Sequence, residues 1–599
     1  MTTAARARRP HTVRDVLPSR LRRVLRTPLT PLPLAAAARG AAALALPLLV
    51  GVRTGAVVPA VIAAIGALWG VSQDGSDPYR LRLRRMVCMG LAAAVGLLAG
   101  ELALRSGQPA AVTVCLVAAA LVAGSVSLRG PVASVSGMHV VLGATIGSGI
   151  PVPGPWWQAP LALLAGVGLV VVLSATPWLW RRHQIERAAV LAVYRAASGA
   201  LSAAGTPVAK DARRWLTAAL DHAQQVMDRR PAPGGRADPE ERALHAAFHM
   251  AVRLGEAASA LVWEARPLPA SVTRVPLLMA ARLLPAPDGA DAAAAPDRAQ
   301  TLPMADSWAS SPGLRALAEL YAATDGERGN DTALHLPLRP RHERATGLRD
   351  AFCQARATHL RYAVLLAACV LVAQLGAEVL HGPRGYWLPM TVAFVYKPDF
   401  GPVFRRAVHR CVGTVVGVAA IGAVTLLTTD TYALIGAVAA FGALMAVGVR
   451  HHYALATLAL TAIVFVLLDM LGDHRALYTA RILDTALAAA IVLVAHFALW
   501  PDSAAGRAAA QTEAALAAAH RYRDLAPGAA PAQRHALRRA AYGRLAAARL
   551  AAAHAHGEPG RPGRRLPDWE HAITEGEQLC DAVAARSLTN GARFVHPAS

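Results

Sequence analysis

Lysine is almost missing from this 599-residue chain. It occurs only at Lys210 and Lys397, so nearly all of the 61 basic residues are arginine. That bias is read as genome composition rather than function. Acidic residues are short too, 38 against those 61, which leaves a formal charge of +23. Such a balance points to nucleic acid or to an anionic membrane face. Apolar runs interleaved with the arginines favour the membrane. Aromatics reach only 5%, and alanine supplies much of the 55% apolar fraction, which suits neither a disordered chain nor an ordinary soluble enzyme of this length.

Six cysteines (Cys88, Cys115, Cys353, Cys369, Cys411 and Cys580) include no pair with metal-ligand spacing, and four lie in or beside apolar runs. They are read as small buried residues. No phosphate-cradling glycine loop, metal-ligand cluster or nucleophile motif occurs in the polar regions. This argues against an ATP-driven pump, an enzyme, a cofactor or a metal site. Eight arginines lie between Arg6 and Arg26 with no compact apolar core after them, so this segment is not read as a secretory signal.

What is present is a series of long apolar runs. A spanning helix needs about 20 mostly apolar residues. Candidates lie near 34–52, 55–72, 86–104, 110–128, 132–150 and 159–180, then 362–380, 386–397, 411–428, 432–449, 453–471 and 482–499. The 386–397 run is short and must borrow flanking residues or be broken. With the N-terminus inside, Arg80, Arg82, Arg84, Arg85, Arg129, Arg181 and Arg182 fall inside in the first half, and Lys397, Arg405, Arg406, Arg410 and Arg450 in the second. Fewer arginines fall outside, so both halves give one sense, with both termini cytoplasmic. Trp69, Trp180, Trp387 and Trp500 sit near span ends and are read as interfacial anchors.

The two halves follow one plan. "ALWGVSQDGSDPYRLRLRRMVCMGLAAAVG" in the first and "AFVYKPDFGPVFRRAVHRCVGTVVG" in the second each give an apolar span, a turn with Asp and Pro, an arginine cluster and a glycine-rich span. Asp77 to Gly90 and Asp399 to Gly413 match with a one-residue slip. Six spans per half make this a parallel repeat. Gly96/Gly100 and Gly413/Gly417 carry the spacing that lets helix backbones approach.

The stretch with Tyr386-Trp387-Leu388-Pro389, Lys397-Pro398-Asp399-Phe400-Gly401, Arg405-Arg406, Arg410, Gly413 and Gly417 resembles the fusaric-acid-resistance-like (FUSC) family. So does "ARILDTALAAAIVLVAHFALWP", with Arg481, Asp484, Thr485, Trp500 and Pro501. The resemblance implies an all-α membrane protein with two six-helix transmembrane bundles and helical cytoplasmic domains. It implies an aromatic acid exporter of the bacterial inner membrane, with plant aluminium-activated malate transporters as distant relatives. The expected organisation is a basic tail (1–32), a first bundle (33–180), a cytoplasmic helical domain (181–358), a second bundle (359–500) and a helical C-terminal region (501–599).

Between the halves, helices are expected near 183–204, 207–229, 238–266, 314–325 and 340–358, with part of 267–312 a loose linker. In the tail, Arg534, Arg538, Arg539, Arg544 and Arg549 share one helix and are read as a solvated face against anionic lipid, with no nucleic-acid partner.

Two sets of charges are candidates for function. Lys397, Asp399, Arg405, Arg406 and Arg410, with Arg82 and Arg85 from the first half, are read as a basic cytoplasmic vestibule for substrate. Arg406 and Arg410 share a helical face, and guanidinium groups suit carboxylates because they can bind both oxygens. Arg481 and Asp484, near the outer end of the last span, are either a proton-coupling pair or an ion pair that locks packing. Glu101, Glu378 and Asp469 lie where snorkelling to water is easy, and His139 and His496 are read as buried, hydrogen-bonded and neutral.

The expected function is proton-coupled efflux of organic carboxylates, aromatic ones foremost. A passive anion channel and a non-transporting scaffold remain open. The partners are the lipid bilayer, an organic anion and a further copy of the chain.

Overall fold

The computed structural model describes residues 33–75, 79–176, 183–227, 239–284, 311–326, 348–381, 384–397, 402–471, 477–500, 503–558 and 567–591. Among them every regular element is a helix. The first membrane half holds α1 (Leu34–Thr54), α2 (Val57–Ser72), α3 (Tyr79–Arg105), α4 (Pro109–Val126), α5 (Pro131–Gly149) and α6 (Gln158–Ala175). Then follow α7 (Gln184–Ser202), α8 (Ala209–Met227), α9 (Pro239–Trp263), α10 (Ala270–Thr273), α11 (Val275–Leu283) and α12 (Pro312–Gly326). The second half holds α13 (Leu348–Leu380), α14 (Trp387–Val395), α15 (Val403–Leu427), α16 (Thr431–His451), α17 (Tyr453–Asp469) and α18 (Leu477–Leu499). The chain closes with α19 (Ser503–Leu525), α20 (Pro531–Gly557) and α21 (Trp569–Gly591).

Nine of the described helices are long and apolar enough to cross a membrane, and α2 and α17 are shorter apolar helices. Their outward side chains are apolar as well. Val95, Val172 and Val494 are each more than 60% exposed, as lipid-facing residues are in the absence of lipid. The chain is an all-α membrane protein. α14 has nine residues, which is about 14 Å of helix against a hydrocarbon core of about 30 Å.

The same pairings recur in both halves. α1 packs on α2, α2 on α6, α3 on α5 and α6, and α4 on α5. Likewise α13 packs on α14, α14 on α18, α15 on α17 and α18, and α16 on α17. The halves cross over through their first and fourth helices, α1 against α16 and α4 against α13.

Glycine makes these contacts possible by close approach. A Cβ at Gly96 or Gly100 would stand 2.1 Å from the carbonyl oxygen of Val140 or Ala144 on α5. At Gly413 and Gly417 it would stand 2.6 and 2.7 Å from the carbonyl oxygens of Ala454 and Leu458 on α17. Gly40 and Gly442 bring the backbones of α1 and α16 together in the same way.

Outside the membrane part, α7–α12 share one apolar core and α19–α21 another. Within 267–312, α11 is helical, because Val275, Met279 and Ala280 are buried against α7. The two units meet through a buried ion cluster. Arg213 donates to Glu577 (2.9 Å) and Asp581 (3.0 Å), Arg549 donates to Glu577, and the Tyr542 hydroxyl donates to Asp581 (2.6 Å). Burial works against the Arg213 charge, but Asp581 and Glu577 outweigh it and raise its pKa.

The lipid-facing reading of α20 fails for Arg538 and for Arg549, which donates to Glu577. Arg538 is buried and donates to the Gly255 carbonyl and the Ser259 hydroxyl of α9, so this arginine joins two protein units. Apolar neighbours do not explain an arginine on such a helix; a partner carrying acceptors does.

Candidate functional site

The site is built on the short helix α14. Its length follows from its end. Pro398 disfavours helical geometry for the residue before it, and the last carbonyls of α14 find acceptor roles outside the helix. Arg406 Nη1 donates to the carbonyls of Val395 and Lys397, at 3.2 Å each. The Tyr362 hydroxyl donates to the carbonyl of Tyr396. An arginine four residues into α15 thus stands in for the missing next turn of α14.

Trp387, Thr391 and Phe394 fall at i, i+4 and i+7 and share one face of α14. Arg481 of α18 lies over Trp387, its guanidinium carbon 5.0 Å from the ring centroid, and Nη1 donates to Thr391 Oγ1 at 3.4 Å. Arg410 of α15 lies over Phe394 at 4.4 Å. The two rings are about 10 Å apart along the helix, at 1.5 Å per residue. Arg410 is 1% exposed and Arg481 3%.

Several donors here lack partners, although the Tyr453 hydroxyl stands beside Arg410. Arg410 Nε and Nη2, Trp387 Nε1 and the hydroxyls of Thr414 and Thr457 are buried with no hydrogen-bond partner among the described residues. Arginine and indole N–H groups can only donate. Asp484 is half-buried one turn beyond Arg481, but no ion pair within 4 Å joins the two side chains.

The residues singled out from sequence distribute unevenly over this arrangement. Arg410 and Arg481 come together on α14. Arg406 caps that helix, Arg405 is exposed, and Lys397 is half-buried. Asp399 lies outside the described residues. Arg82 is elsewhere: its Nη1 donates to Asp74 Oδ1 (2.9 Å), and it lies over Tyr79 (4.6 Å). Arg85, one turn on, is half-buried.

Asp74 also accepts from Arg39 (2.6 Å) and from the Ser174 hydroxyl (2.9 Å), and Arg450 Nη2 donates to its backbone carbonyl (3.0 Å). This cluster ties α1, α3 and α6 of the first half to α16 of the second. It was not read from the sequence, because the residues lie up to 376 positions apart.

Two tryptophans read as interfacial anchors are core residues. Trp387 is 0% exposed, and Trp69 is buried edge-on against His139. Their large apolar rings fill space between helices at positions that, by sequence, fall near span ends. Glu101 does not snorkel to water: it is buried and accepts from Arg105 Nη2 at 2.6 Å. The His139 ring nitrogen meets the Val135 carbonyl at 2.8 Å, and that of His496 meets the Tyr396 hydroxyl at 3.4 Å. Among the described residues no group of His, Cys, Asp and Glu is arranged to hold a metal ion.

Residues 355–495 match the family model described as fusaric acid resistance protein-like. An uncharacterized membrane protein of Bacillus subtilis, YvaC, is 26% identical over 483 residues, 76% of this chain and 70% of that protein. An uncharacterized protein of Haemophilus influenzae is 31% identical over 143 residues, 24% of this chain and 20% of its own length. The inner membrane protein YccS of Escherichia coli is 26% identical over 142 residues, 24% of this chain and 20% of that protein. The matches to the Haemophilus protein and to one of Neisseria gonorrhoeae span only 20% and 34% of those relatives. No solved structure matches. Residues 355–495, which hold α14 and both buried arginines, are a domain of the fusaric acid resistance protein-like family, carried in a multi-pass membrane protein.

Proposed function

We propose that this protein is a transporter that exports organic anions, aromatic carboxylates foremost, across the bacterial inner membrane. The observation that carries the reading is the pair of buried guanidinium groups on the face of α14. A cation–π contact contributes about 0.5–2 kcal/mol. Burying an ion costs several kcal/mol. Among the described residues no carboxylate is bonded to either arginine, and the stacking contacts leave a deficit that a bound anion offsets. A carboxylate would supply acceptors for the unpartnered N–H groups of Arg410 and Trp387, and the ring of an aromatic solute would pair with Trp387 or Phe394.

The recurrence of helix pairings in the two halves supports a parallel repeat around an axis along the membrane normal. Arginine placement in short loops supports cytoplasmic termini, and so a cytoplasmic α7–α12 and α19–α21. Asp484, close to Arg481 but not bonded to it, is the group through which a proton would couple to the anion.

The test is flux of labelled 4-hydroxybenzoate in proteoliposomes. Arg410→Gln and Arg481→Gln are expected to reduce it at least tenfold while insertion is unchanged. Normal flux from both inserted variants overturns the reading. Flux that ignores a protonophore assigns passive conduction in place of coupling.

A further inference from the structure

α15 enters its first turn without a side-chain cap of its own. Its N-cap position is Pro402, and the first amides of any helix need acceptors from elsewhere. The acceptor comes from the far end of the chain. Glu558, the residue just past α20, accepts from the Phe404 amide at 3.3 Å, and the Val403 amide faces the same carboxylate. Two guanidinium groups, Arg406 of α15 and Arg507 of α19, add positive charge around it. The second carboxylate oxygen is buried with no hydrogen-bond partner among the described residues. Helix amides with converging arginines are the arrangement that holds a free anion. Here the anion belongs to the protein.

Two more features give this contact a role. Arg406 is the residue that holds the end of α14, and Arg410, one turn further along α15, lies over Phe394. Glu558 therefore sits on the first turn of α15, about 9 Å along that helix from Arg410. Its carrier is also stiff. α20 has 27 residues, a rod of about 40 Å. Arg538, Tyr542 and Arg549 along it are bonded to α9 and α21. Movement between the two helical units outside the membrane therefore displaces Glu558.

We infer that Glu558 is an autoinhibitory latch, a tethered carboxylate that occupies the mouth leading to Arg410 and is displaced by the carboxylate of the transported solute. The inference rests on the transport reading above. It makes the α19–α21 unit a regulator of that site: whatever pulls α20 away from α15 opens the mouth.

The experiment uses the full chain in nanodiscs and proteoliposomes, with Glu558→Gln, which keeps the shape of the side chain and removes its charge. Two quantities are read: hydrogen exchange of the amides at 403–406, and the concentration of labelled 4-hydroxybenzoate giving half-maximal flux. The latch predicts faster exchange and a half-maximal concentration lower by about fivefold or more, the usual size of coupling between linked sites. Arg507→Gln, which removes one charge holding the carboxylate, is expected to move both readings the same way. Unchanged exchange, or a raised half-maximal concentration, in Glu558→Gln overturns the latch. Faster exchange with no flux in wild type or variant overturns the transport reading instead.

Discussion

Arg481 and Trp387 are stacked, guanidinium over indole, with 5.0 Å between the guanidinium carbon and the ring centroid, and both are buried among apolar helices. The stack joins α18 to α14, and through Thr391 it reaches the same helix face that carries Phe394 and Arg410. A planar, delocalised cation is needed for this geometry. Lysine carries the charge without the plane. Arg481→Lys is therefore expected to recover little of the flux lost in Arg481→Gln. Trp387→Leu should raise the half-maximal concentration of an aromatic carboxylate by up to about tenfold, the upper value of one aromatic–aromatic contact. Comparable effects of Trp387→Leu on an aliphatic and an aromatic acid would show that the ring does not contact the solute.

The Asp74 cluster yields a stability prediction. One buried carboxylate serves Arg39, Arg82 and the Ser174 hydroxyl, and its backbone carbonyl holds Arg450. Asp74→Asn leaves two arginines without their counter-charge. Removing one partner of a buried pair costs about 3–5 kcal/mol. Thermal unfolding in detergent should show a large drop, and the double variant Asp74→Asn/Arg82→Gln should lose less than the sum of the two single changes.

Close helix approach gives a contrast within one helix. A Cβ at Gly442 meets the Gly40 carbonyl oxygen at 2.6 Å, whereas one at Gly436 meets nothing within 4 Å. Gly442→Val should separate α1 from α16 and sharply lower the yield of folded protein. Gly436→Ala should leave it unchanged or slightly higher. Size-exclusion profiles of the two variants decide the matter.

A pH dependence follows from Asp221 of α8. Burial pushes its carboxyl up to about 6, against the opposing pull of Arg539 and Arg538. It lines a cavity of about 30 Å³ together with His535, Arg538 and Arg539. The folded state therefore holds this proton more tightly than the unfolded state, whose ordinary value is 3.8. The stabilising contribution is complete below about pH 4 and is lost as pH rises through about 6. Asp221→Asn should raise stability at pH 7 by up to about 3 kcal/mol and flatten the melting temperature between pH 4 and 7. An unchanged pH profile would show that the carboxyl titrates normally.

The amino-acid sequence alone determined the class of the molecule. Hydropathy is a sum over neighbours along the chain, so the long apolar helices, the polar helical units outside them and the glycine pairs at 96/100 and 413/417 could all be read locally. The arginines of 405–410 and Arg481 were visible for the same reason, since a charge beside an apolar run stands out. What each arginine does was decided by tertiary structure. Arg410 and Arg481 were placed at opposite ends of the membrane by counting residues, and the nine-residue α14 brings them onto one helix face. Arg82 meets Asp74, Arg538 meets Ser259, and Glu558 meets Phe404 across separations of 8, 279 and 154 residues. Burial of Trp69 and Trp387 was equally invisible, because whether a ring near a span end faces lipid or protein depends on which helix packs against it. Periodicity records what a helix could bury, and only its neighbours fix which acceptors and rings its charges meet.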